Sequence, residues 1–563
     1  MSSKSFASII SPLQINCPLI VLQLRTIRFG LTTGKRLEVS DLFKSIGRWN
    51  DLYGRVIALN TLVFSSGQLH YSFKKTLTWD REDFEFYSCD GSYTNKMDRN
   101  GTAFFLEKKY GESKASFSKY EFSLFADSGE LVGILVLIAL YRLSTSVQLA
   151  IGVFLYIMCP AVHLTNSKTF ARASLFLSGI SVRMLRIPTM MHCMESLPQH
   201  LRIYGLSIMF GASLVSNLSL ILFIKTVSYS LLWTHTMIAA VILLSCFLHI
   251  WLAPPSILNT LFNADTVTLQ NELVKWVPEE HLIDIDDLVD YVLYRGPVYS
   301  SQMNSFSQLI AMGPFFRKAV ICAILLPLDS FVIVAARTYQ SNRFSVGEQE
   351  SEFFYAVLFL IGAMLTIVLN SVCGRRCTLS IAMASLIFCQ LLMMSLTLEK
   401  YNACRALNTL QGWRGVLAEV AYVCAIVTSS FFKVTMRLVL LEHVPTSLRS
   451  VVPLAFFYST VTIMLYSGIQ ALTTQFLDSY PNSFFIYSLT YTLFTAPFVF
   501  LIDDSTYMAM NSAEIAAYTV PSRPFPMNLD PSDGASEHFS TRMVLEACAA
   551  AEAAKQQAKT EFD

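Results

Sequence analysis

The sequence has few charged residues and almost no net charge. Asp, Glu, Lys and Arg make up 15% of the chain, the formal net charge is +1, and apolar residues make up 53%. A nucleic-acid-binding protein needs a concentrated basic excess, which this chain lacks. Since 563 residues of this composition are too apolar for a water-soluble globule, the sequence predicts a membrane protein with several spans.

Signatures of catalysis, metal binding and secretion are also missing. The sequence shows no Gly-rich nucleotide loop, no nucleophile with a placed base, and no metal-ligand spacing among its twelve cysteines. The apolar run from Ile15 to Leu24 is too short for a span and has no basic n-region. We therefore predict no enzyme activity, no cofactor, no metal site and no signal peptide.

Long apolar runs, in contrast, are abundant. A helix needs about 20 mostly apolar residues to cross a bilayer. Twelve runs approach this length, at residues 55–73, 121–141, 147–165, 172–195, 203–225, 229–252, 318–337, 352–372, 377–396, 415–440, 451–472 and 483–502. The sequence thus predicts an all-α membrane protein of twelve transmembrane helices.

Polar segments divide this series into domains. We expect a cytosolic extension at 1–54, a six-helix bundle at 55–252 with an extracellular loop at 74–120, and a cytosolic linker at 253–317. A second six-helix bundle at 318–502 and a cytosolic tail at 503–563 follow. The sequon at Asn100 predicts a glycan that places its loop outside, although the basic residues of the same loop favour the cytosol. Cys89 and Cys404 fall in predicted outer loops, so a disulfide between them is conceivable from sidedness alone.

One motif occurs after the fourth helix of each bundle. After the fourth helix of the first bundle the sequence is Glu-Ser-Leu-Pro-Gln-His-Leu-Arg. After the fourth helix of the second bundle it is Glu-His-Val-Pro-Thr-Ser-Leu-Arg. The shared positions are Glu195, Pro198 and Arg202 in the first copy, and Glu442, Pro445 and Arg449 in the second. A Glu at a helix end, a Pro that stops the helix and an Arg that opens the next one form a charged hinge. The repeat predicts a tandem duplication with a gating hinge in each half.

These residues resemble the organic cation and anion transporters of the major facilitator superfamily. The second motif copy, Gly374-Arg375-Arg376 between helices eight and nine, Pro254-Pro255-Ser256 after helix six, and the amphipathic lead-in from Asp41 to Trp49 occur in the family's order. The resemblance implies the major facilitator fold, with two pseudo-symmetric bundles and a cavity lined by helices one, four, seven and ten. It also implies a multi-pass carrier in the plasma membrane, or else in a vesicle membrane.

Departures from the family pattern favour a second interpretation. The stretch from Ile138 to Val147 lacks the acidic residue and the basic pair of the first gating loop, and Ser371 replaces the Asp of the second. Val461 occupies the position that is usually charged in helix eleven. An inner gate without these charges favours a non-transporting receptor or scaffold. A channel is not favoured, because the sequence shows no Gly-rich filter segment.

Several charged residues lie within the predicted spans. A charge at bilayer depth costs on the order of 3 kcal/mol, so such groups normally face a bundle interior or cavity. The candidate substrate-binding residues are Arg183, Arg186, Asp329, Glu130 and Lys433. Arg183 and Arg186 share one face of helix four, and we expect them to meet Asp329 across the cavity.

These charges allow a functional and a structural interpretation. In the first, the arginines bind an organic anion while Asp329 or Glu130 takes up a proton; in the second, the charges hold helices together. For Asp127, Glu419 and Arg437 the position near helix ends favours the structural one. We predict a secondary transporter of a small organic ion, with a proton or counter-ion as the candidate coupling ion.

Overall fold

Twelve helices make up almost all of the structure, which is a computed structural model of the chain. It describes residues 47–78, 119–140, 143–162, 168–197, 199–226, 231–256, 267–268, 270–271, 313–333, 348–401, 413–444, 451–476 and 483–502. The predictions for Asn100, Pro198, Pro445 and Arg449, for both termini, and for most of the two long polar segments lie outside these residues.

The helices follow the predicted spans closely. In chain order they are α1 Gly47–Thr78, α2 Lys119–Ala139, α3 Thr145–Val162, α4 Lys168–Ser196, α5 Gln199–Thr226, α6 Leu231–Leu252, α7 Gly313–Leu325, α8 Glu348–Cys373, α9 Arg375–Tyr401, α10 Trp413–His443, α11 Val451–Phe476 and α12 Ser483–Val499. We call α1–α6 the N-half and α7–α12 the C-half. The motif end is the end of the bundle where α4 and α10 stop and α5 and α11 begin.

Helix α7 departs most from its predicted span of 318–337. It stops at Leu325 because Pro327 has no N–H group and its ring clashes with the preceding turn. The amides of Ser330 and Phe331 then both donate to the Pro327 carbonyl, at 3.1 and 3.2 Å, and start a new helical turn. The break puts Asp329 in the first turn of the resumed segment, which runs to residue 333.

Within the N-half, α2 and α4 approach each other at their backbones. A Cβ atom on Gly129 would collide with the carbonyl of Phe176, and one on Gly179 would collide with the carbonyl of Ala126. Small residues at a helix interface allow this distance, which larger residues prevent. The approach fixes the register of α2 against α4, and with it the side chains that lie between them.

The two halves meet along two pairs of helices that occupy equivalent positions in the order of their halves. Helix α2 packs on α11, and its counterpart α8 packs on α5, the counterpart of α11. Weaker contacts join α10 to α5 and α4. The surface between the halves is therefore formed mainly by α2, α5, α8 and α11, with α4 and α10 behind it.

The outer surface is apolar, as expected for contact with lipid. Phe388 is 66% exposed and Trp251 is 76% exposed. Among the described residues, five helices are long and apolar enough to cross a membrane by length and composition. They lie at Leu201–Leu220, Thr234–Leu252, Phe354–Cys373, Arg375–Ser395 and Val416–His443. This pattern agrees with a multi-pass membrane protein.

Candidate functional site

The buried carboxylate of the N-half, Glu130, is bound by Arg183. Glu130 follows the α2–α4 contact at Gly129, and Arg183 lies one turn beyond Gly179 on α4. The Nε and Nη2 atoms of Arg183 donate to Glu130 Oε2 at 2.9 and 2.5 Å. The Glu130 side chain is 5% exposed and the Arg183 side chain 17%. Close helix packing thus creates a directed, charge-assisted pair.

The same arginine also contacts the other half. Its Nη2 atom donates to the Thr460 hydroxyl of α11 at 3.1 Å. Thr460 is buried and adjoins Val461, the position that is usually charged in the resembling family. Arg183 therefore lies on the surface between the halves and links α2, α4 and α11.

Arg186 is placed by aromatic packing. Its side chain passes Gly67 of α1, where a Cβ atom would come within 3.1 Å of Arg186 Cγ. Its guanidinium carbon lies 4.2 Å from the ring centroid of Phe64. Phe64 packs edge-on against Phe210 of α5 at 5.0 Å, and Arg437 of α10 lies 5.4 Å from the Phe210 ring. An aromatic pair thus separates one arginine of each half.

The buried carboxylate of the C-half faces two cations. Asp329 Oδ2 lies 3.4 Å from Lys433 Nζ, and Asp329 Oδ1 lies 3.8 Å from Arg437 Nη1. The Asp329 side chain is 1% exposed, and neither of its oxygens accepts a well-formed hydrogen bond from the described residues. Lys433 and Arg437 are four residues apart on α10, which places both on one helix face.

These groups form one central cluster, defined as Glu130, Arg183, Arg186, Asp329, Lys433 and Arg437. Lys433 is close enough to Asp329 to be attracted by it and close enough to Arg437 and to Arg186 of the N-half to be repelled by them, so charges of both halves adjoin. Four cations and two carboxylates leave an excess of two positive charges. Such an arrangement attracts anions from water into a site of low dielectric constant.

The structure partly changes the expected pairing. The sequence predicted that Arg183 and Arg186 would meet Asp329, whereas Arg183 pairs with Glu130 and Asp329 pairs with Lys433 and Arg437. The assignment of Arg437 to a helix end alone was incomplete, because it belongs to the central cluster. Its spacing of four residues from Lys433 was the signal in the sequence.

At the motif end, the C-half has a charged latch. Arg375 donates to both oxygens of Glu442, from Nε at 3.3 Å and from Nη2 at 3.2 Å, and the Glu442 carboxyl is buried. Gly374 has φ of 81°, which favours glycine and allows the sharp turn from α8 to α9. Arg376 donates to the Phe500 carbonyl at 2.8 Å. The latch ties α9 to α10 and to the end of α12.

The corresponding N-half loop contains a neutral cap among its described residues. Gln148 Nε2 donates to the carbonyls of Leu140 and Leu143 at 3.0 and 3.1 Å, and so closes the turn between α2 and α3. At the hinge, Arg202 Nε donates to the Leu197 carbonyl at 3.3 Å, and Glu195 lies in the last turn of α4. The N-half loop is thus stabilised without the acidic residue that the resembling family uses.

Comparison with known proteins rests on the structure alone, because no family model and no curated protein matches the sequence. The chain superposes on the proton:xylose symporter XylE, a major facilitator superfamily protein, bound to 6-bromo-6-deoxy-D-glucose. The TM-score is 0.58 at 14% identity, with 83% of this chain and 99% of that chain covered.

The chain has the major facilitator fold. A double-tryptophan XylE mutant gives the same TM-score of 0.58 at 14% identity, covering 83% of this chain and 98% of that one. XylE from E. coli in a partially occluded inward-open conformation gives 0.51 at 14% identity, covering 79% and 99%. At this identity the likeness establishes the major facilitator fold that the sequence predicted, and the twelve described helices are consistent with it.

Proposed function

We propose that the protein is a secondary transporter that moves a small organic anion by alternating access. The observation that carries this proposal is the central cluster, whose excess of two positive charges lies between the halves of a major facilitator fold. In such folds a midplane site lies between two bundles that rock around it. The matched structures include a proton:xylose symporter, which supports small-molecule transport with a proton as candidate coupling ion.

The contacts between the halves suggest how an anion would act. Arg183 reaches Thr460, and the Phe64–Phe210 pair separates Arg186 from Arg437. An anion bound by Arg186 and Lys433 would compete with Asp329 for Lys433 and neutralise part of the positive charge. Neutralisation lowers the repulsion between cations of opposite halves, so the bound anion favours their closure around it.

The latch at Arg375 and Glu442 would form part of the gate. Separating a buried ion pair leaves each charge uncompensated in a medium of low dielectric constant, which is strongly unfavourable. The latch therefore either stays closed or opens with both side chains reaching water. Gly374, Arg376 and the hinge residues Glu195, Pro198, Arg202, Pro445 and Arg449 are assigned here to the same movement. In this proposal the neutral cap at Gln148 makes the N-half loop the less charged of the two gates.

The test begins with the substrate. Cells with and without the protein are compared for the metabolites they take up, and each candidate is then measured as uptake into proteoliposomes of the purified protein. An anion enriched by both measurements supports the proposal. Enrichment of cations or neutral sugars alone would contradict the anion assignment while leaving transport itself supported.

Arg186→Ala then tests the site. We expect it to abolish uptake at unchanged surface expression, because it removes a cation of the central cluster. Arg172→Ala is the matched control, since Arg172 also lies on α4 over a phenylalanine, Phe125, at 5.7 Å. Equal transport kinetics in wild type and Arg186→Ala would refute the role of Arg186.

A receptor or scaffold is the alternative function. It is favoured by the N-half loop, where Gln148 replaces a charged gate by a neutral cap. A receptor would bind the anion, detected as a ligand-induced rise in thermal stability, without counterflow in proteoliposomes. The finer resemblance to organic cation and anion transporters, a plasma-membrane location and the Asn100 glycan belong to the transport proposal.

A further inference from the structure

Two buried histidines of the N-half share one asparagine. His192 of α4 and His249 of α6 lie with ring centroids 5.2 Å apart, and Asn60 of α1 lies between them. Asn60 is fully buried, and His192 and His249 are 4% and 2% exposed. We call these three residues the histidine cluster. It lies close to the motif end, within two turns of the ends of α4 and α6.

The hydrogen bonds fix the orientation of the Asn60 amide. Its Nδ2 atom donates to the Val56 carbonyl at 2.8 Å. Exchanging the amide nitrogen and oxygen would place Asn60 Oδ1 against the Val56 carbonyl oxygen, so the orientation is fixed. His192 Nδ1 lies 3.0 Å from Nδ2 and 3.3 Å from Oδ1, and the shorter contact assigns this nitrogen as the acceptor of the second Nδ2 hydrogen. Asn60 Oδ1 is left to accept from His249 Nε2 at 3.1 Å.

This orientation determines the protonation of both rings. Because His192 Nδ1 accepts, its hydrogen is on Nε2, which donates to the Pro254 carbonyl at 2.9 Å. His249 likewise has its hydrogen on Nε2, and its buried Nδ1 has no hydrogen-bond partner among the described residues. Both histidines are therefore neutral in this arrangement, and each can accept one proton at Nδ1.

A proton at either Nδ1 is incompatible with the observed contacts. On His192 it would face the Nδ2 donor of Asn60 at 3.0 Å and would have to turn to Oδ1 at 3.3 Å, which already accepts from His249; on His249 it would be a buried donor without an acceptor among the described residues. Either case costs the free energy of an unsatisfied buried polar group, about 1–3 kcal/mol and more for a charged one. The network that joins α1, α4, α6 and Pro254 would have to rearrange.

We propose that the histidine cluster is a proton-binding site whose occupation releases the end of α6 and Pro254 from α1 and α4. The ligand is the proton. Its path from water to the cluster is short, because Ala253, Pro254 and Pro255 beside the cluster are only half-buried. The other titratable or charged groups that the structure describes on these helices include Tyr53 and Arg55 on α1, Cys193 and Glu195 on α4, Arg202 on α5 and Cys246 on α6, with Arg172, Arg183 and Arg186 further along α4, Tyr204 on α5 and His235 further along α6. Among these side-chain types, imidazole is the one that ordinarily titrates between about pH 5 and about pH 8.

Hydrogen exchange of the purified protein in nanodiscs, without substrate, tests this site directly. Exchange is followed by mass spectrometry at about pH 8 and about pH 5, after correction for the intrinsic pH dependence of exchange. We expect peptides that cover 188–196 and 246–256 to exchange several-fold faster at the lower pH. Peptides around Gln390 and Thr492, which bond each other at 3.1 Å in the C-half, provide the internal control.

Variants assign the effect to the cluster. His192→Gln and His249→Gln should each remove the faster exchange at low pH. His235→Gln should retain it, because His235 is a buried histidine of α6 that lies outside the cluster. Asn60→Asp should move the transition to higher pH, because a carboxylate accepts from a protonated His192 and holds the proton more tightly.

The wild-type measurement decides the first step without any variant. Exchange that is equal at both pH values would overturn the proposal, as would an acceleration that both His192→Gln and His249→Gln retain. If a glutamine variant does not fold, Asn60→Asp provides the test instead. A pH transition of exchange equal to that of wild type in this variant would contradict the proposal. None of these outcomes depends on whether the protein transports an anion.

Discussion

The two halves hold their buried carboxylates in different ways. Glu130 accepts two short hydrogen bonds from one arginine, whereas Asp329 lies 3.4 and 3.8 Å from two cations without a well-formed hydrogen bond from the described residues. Charge-assisted hydrogen bonds are about twice as strong as neutral ones and depend on direction. The N-half pair therefore has the geometry of a fixed structural link, whereas in the proposed transport cycle the two cations beside the C-half carboxylate are the ones that an anion would take over.

The difference has a local origin in each half. Backbone contact at Gly129 and Gly179 leaves Glu130 and Arg183 on facing helices with little freedom. Asp329 instead follows the helix break at Pro327 and is approached by two long side chains from α10. Long flexible side chains reach a carboxylate at the cost of conformational entropy, so their contacts rearrange more easily.

Glu130→Ala should have the largest effect on stability. It leaves Arg183 partly buried without its carboxylate, and breaking such a pair costs about 3–5 kcal/mol. Thermal unfolding followed with a thiol-reactive dye measures this loss, because Cys159, Cys193 and Cys246 are buried reporters in the same half. Leu124→Ala, at a 55% exposed position on the same helix, is the control and should unfold near the wild-type temperature. A variant as stable as wild type would show that the pair does not hold α2 to α4.

Gly179→Ala should have the next largest effect. The added methyl group would collide with the Ala126 carbonyl, and overpacking of this kind costs about 1–3 kcal/mol. Gly54→Ala is the matched control, since a Cβ atom there would meet nothing within 4 Å, and alanine favours the helix by about 0.5–1 kcal/mol. The same unfolding assay should therefore show opposite shifts for the two variants. A stable Gly179→Ala protein would contradict backbone contact as the origin of the Glu130–Arg183 geometry.

The helices could be predicted from the sequence, but the partners of the buried charged residues could not. Apolar runs of span length predicted the twelve helices that the structure describes, since length and apolarity are local properties of the chain. Pro327 was visible, but the position of the break relative to Asp329 depends on how the next turn forms. The partner of Arg183 depends on the register of α2 against α4, which Gly129 and Gly179 set through a contact between distant segments.

The histidine cluster shows the same limit. Asn60 is a polar residue within the first predicted apolar run, at 55–73. Its role depends on His192 and His249, which are 132 and 189 residues away. No spacing rule joins residues so far apart, so only the folded arrangement brings a polar residue on α1 together with histidines on α4 and α6.

Lys433→Met should have the smallest effect on stability and still impair the proposed transport. Asp329 keeps Arg437 at 3.8 Å, and methionine can pack on Phe359, whose ring lies 5.3 Å from Lys433 Nζ. Replacing a buried charge by an apolar side chain also removes its desolvation cost, so the change should stay within about 1 kcal/mol. Anion uptake into proteoliposomes should fall strongly, because the excess positive charge is halved. A loss of stability as large as that of Glu130→Ala would instead make Lys433 a structural partner of Asp329, and the contrast between the two halves would disappear.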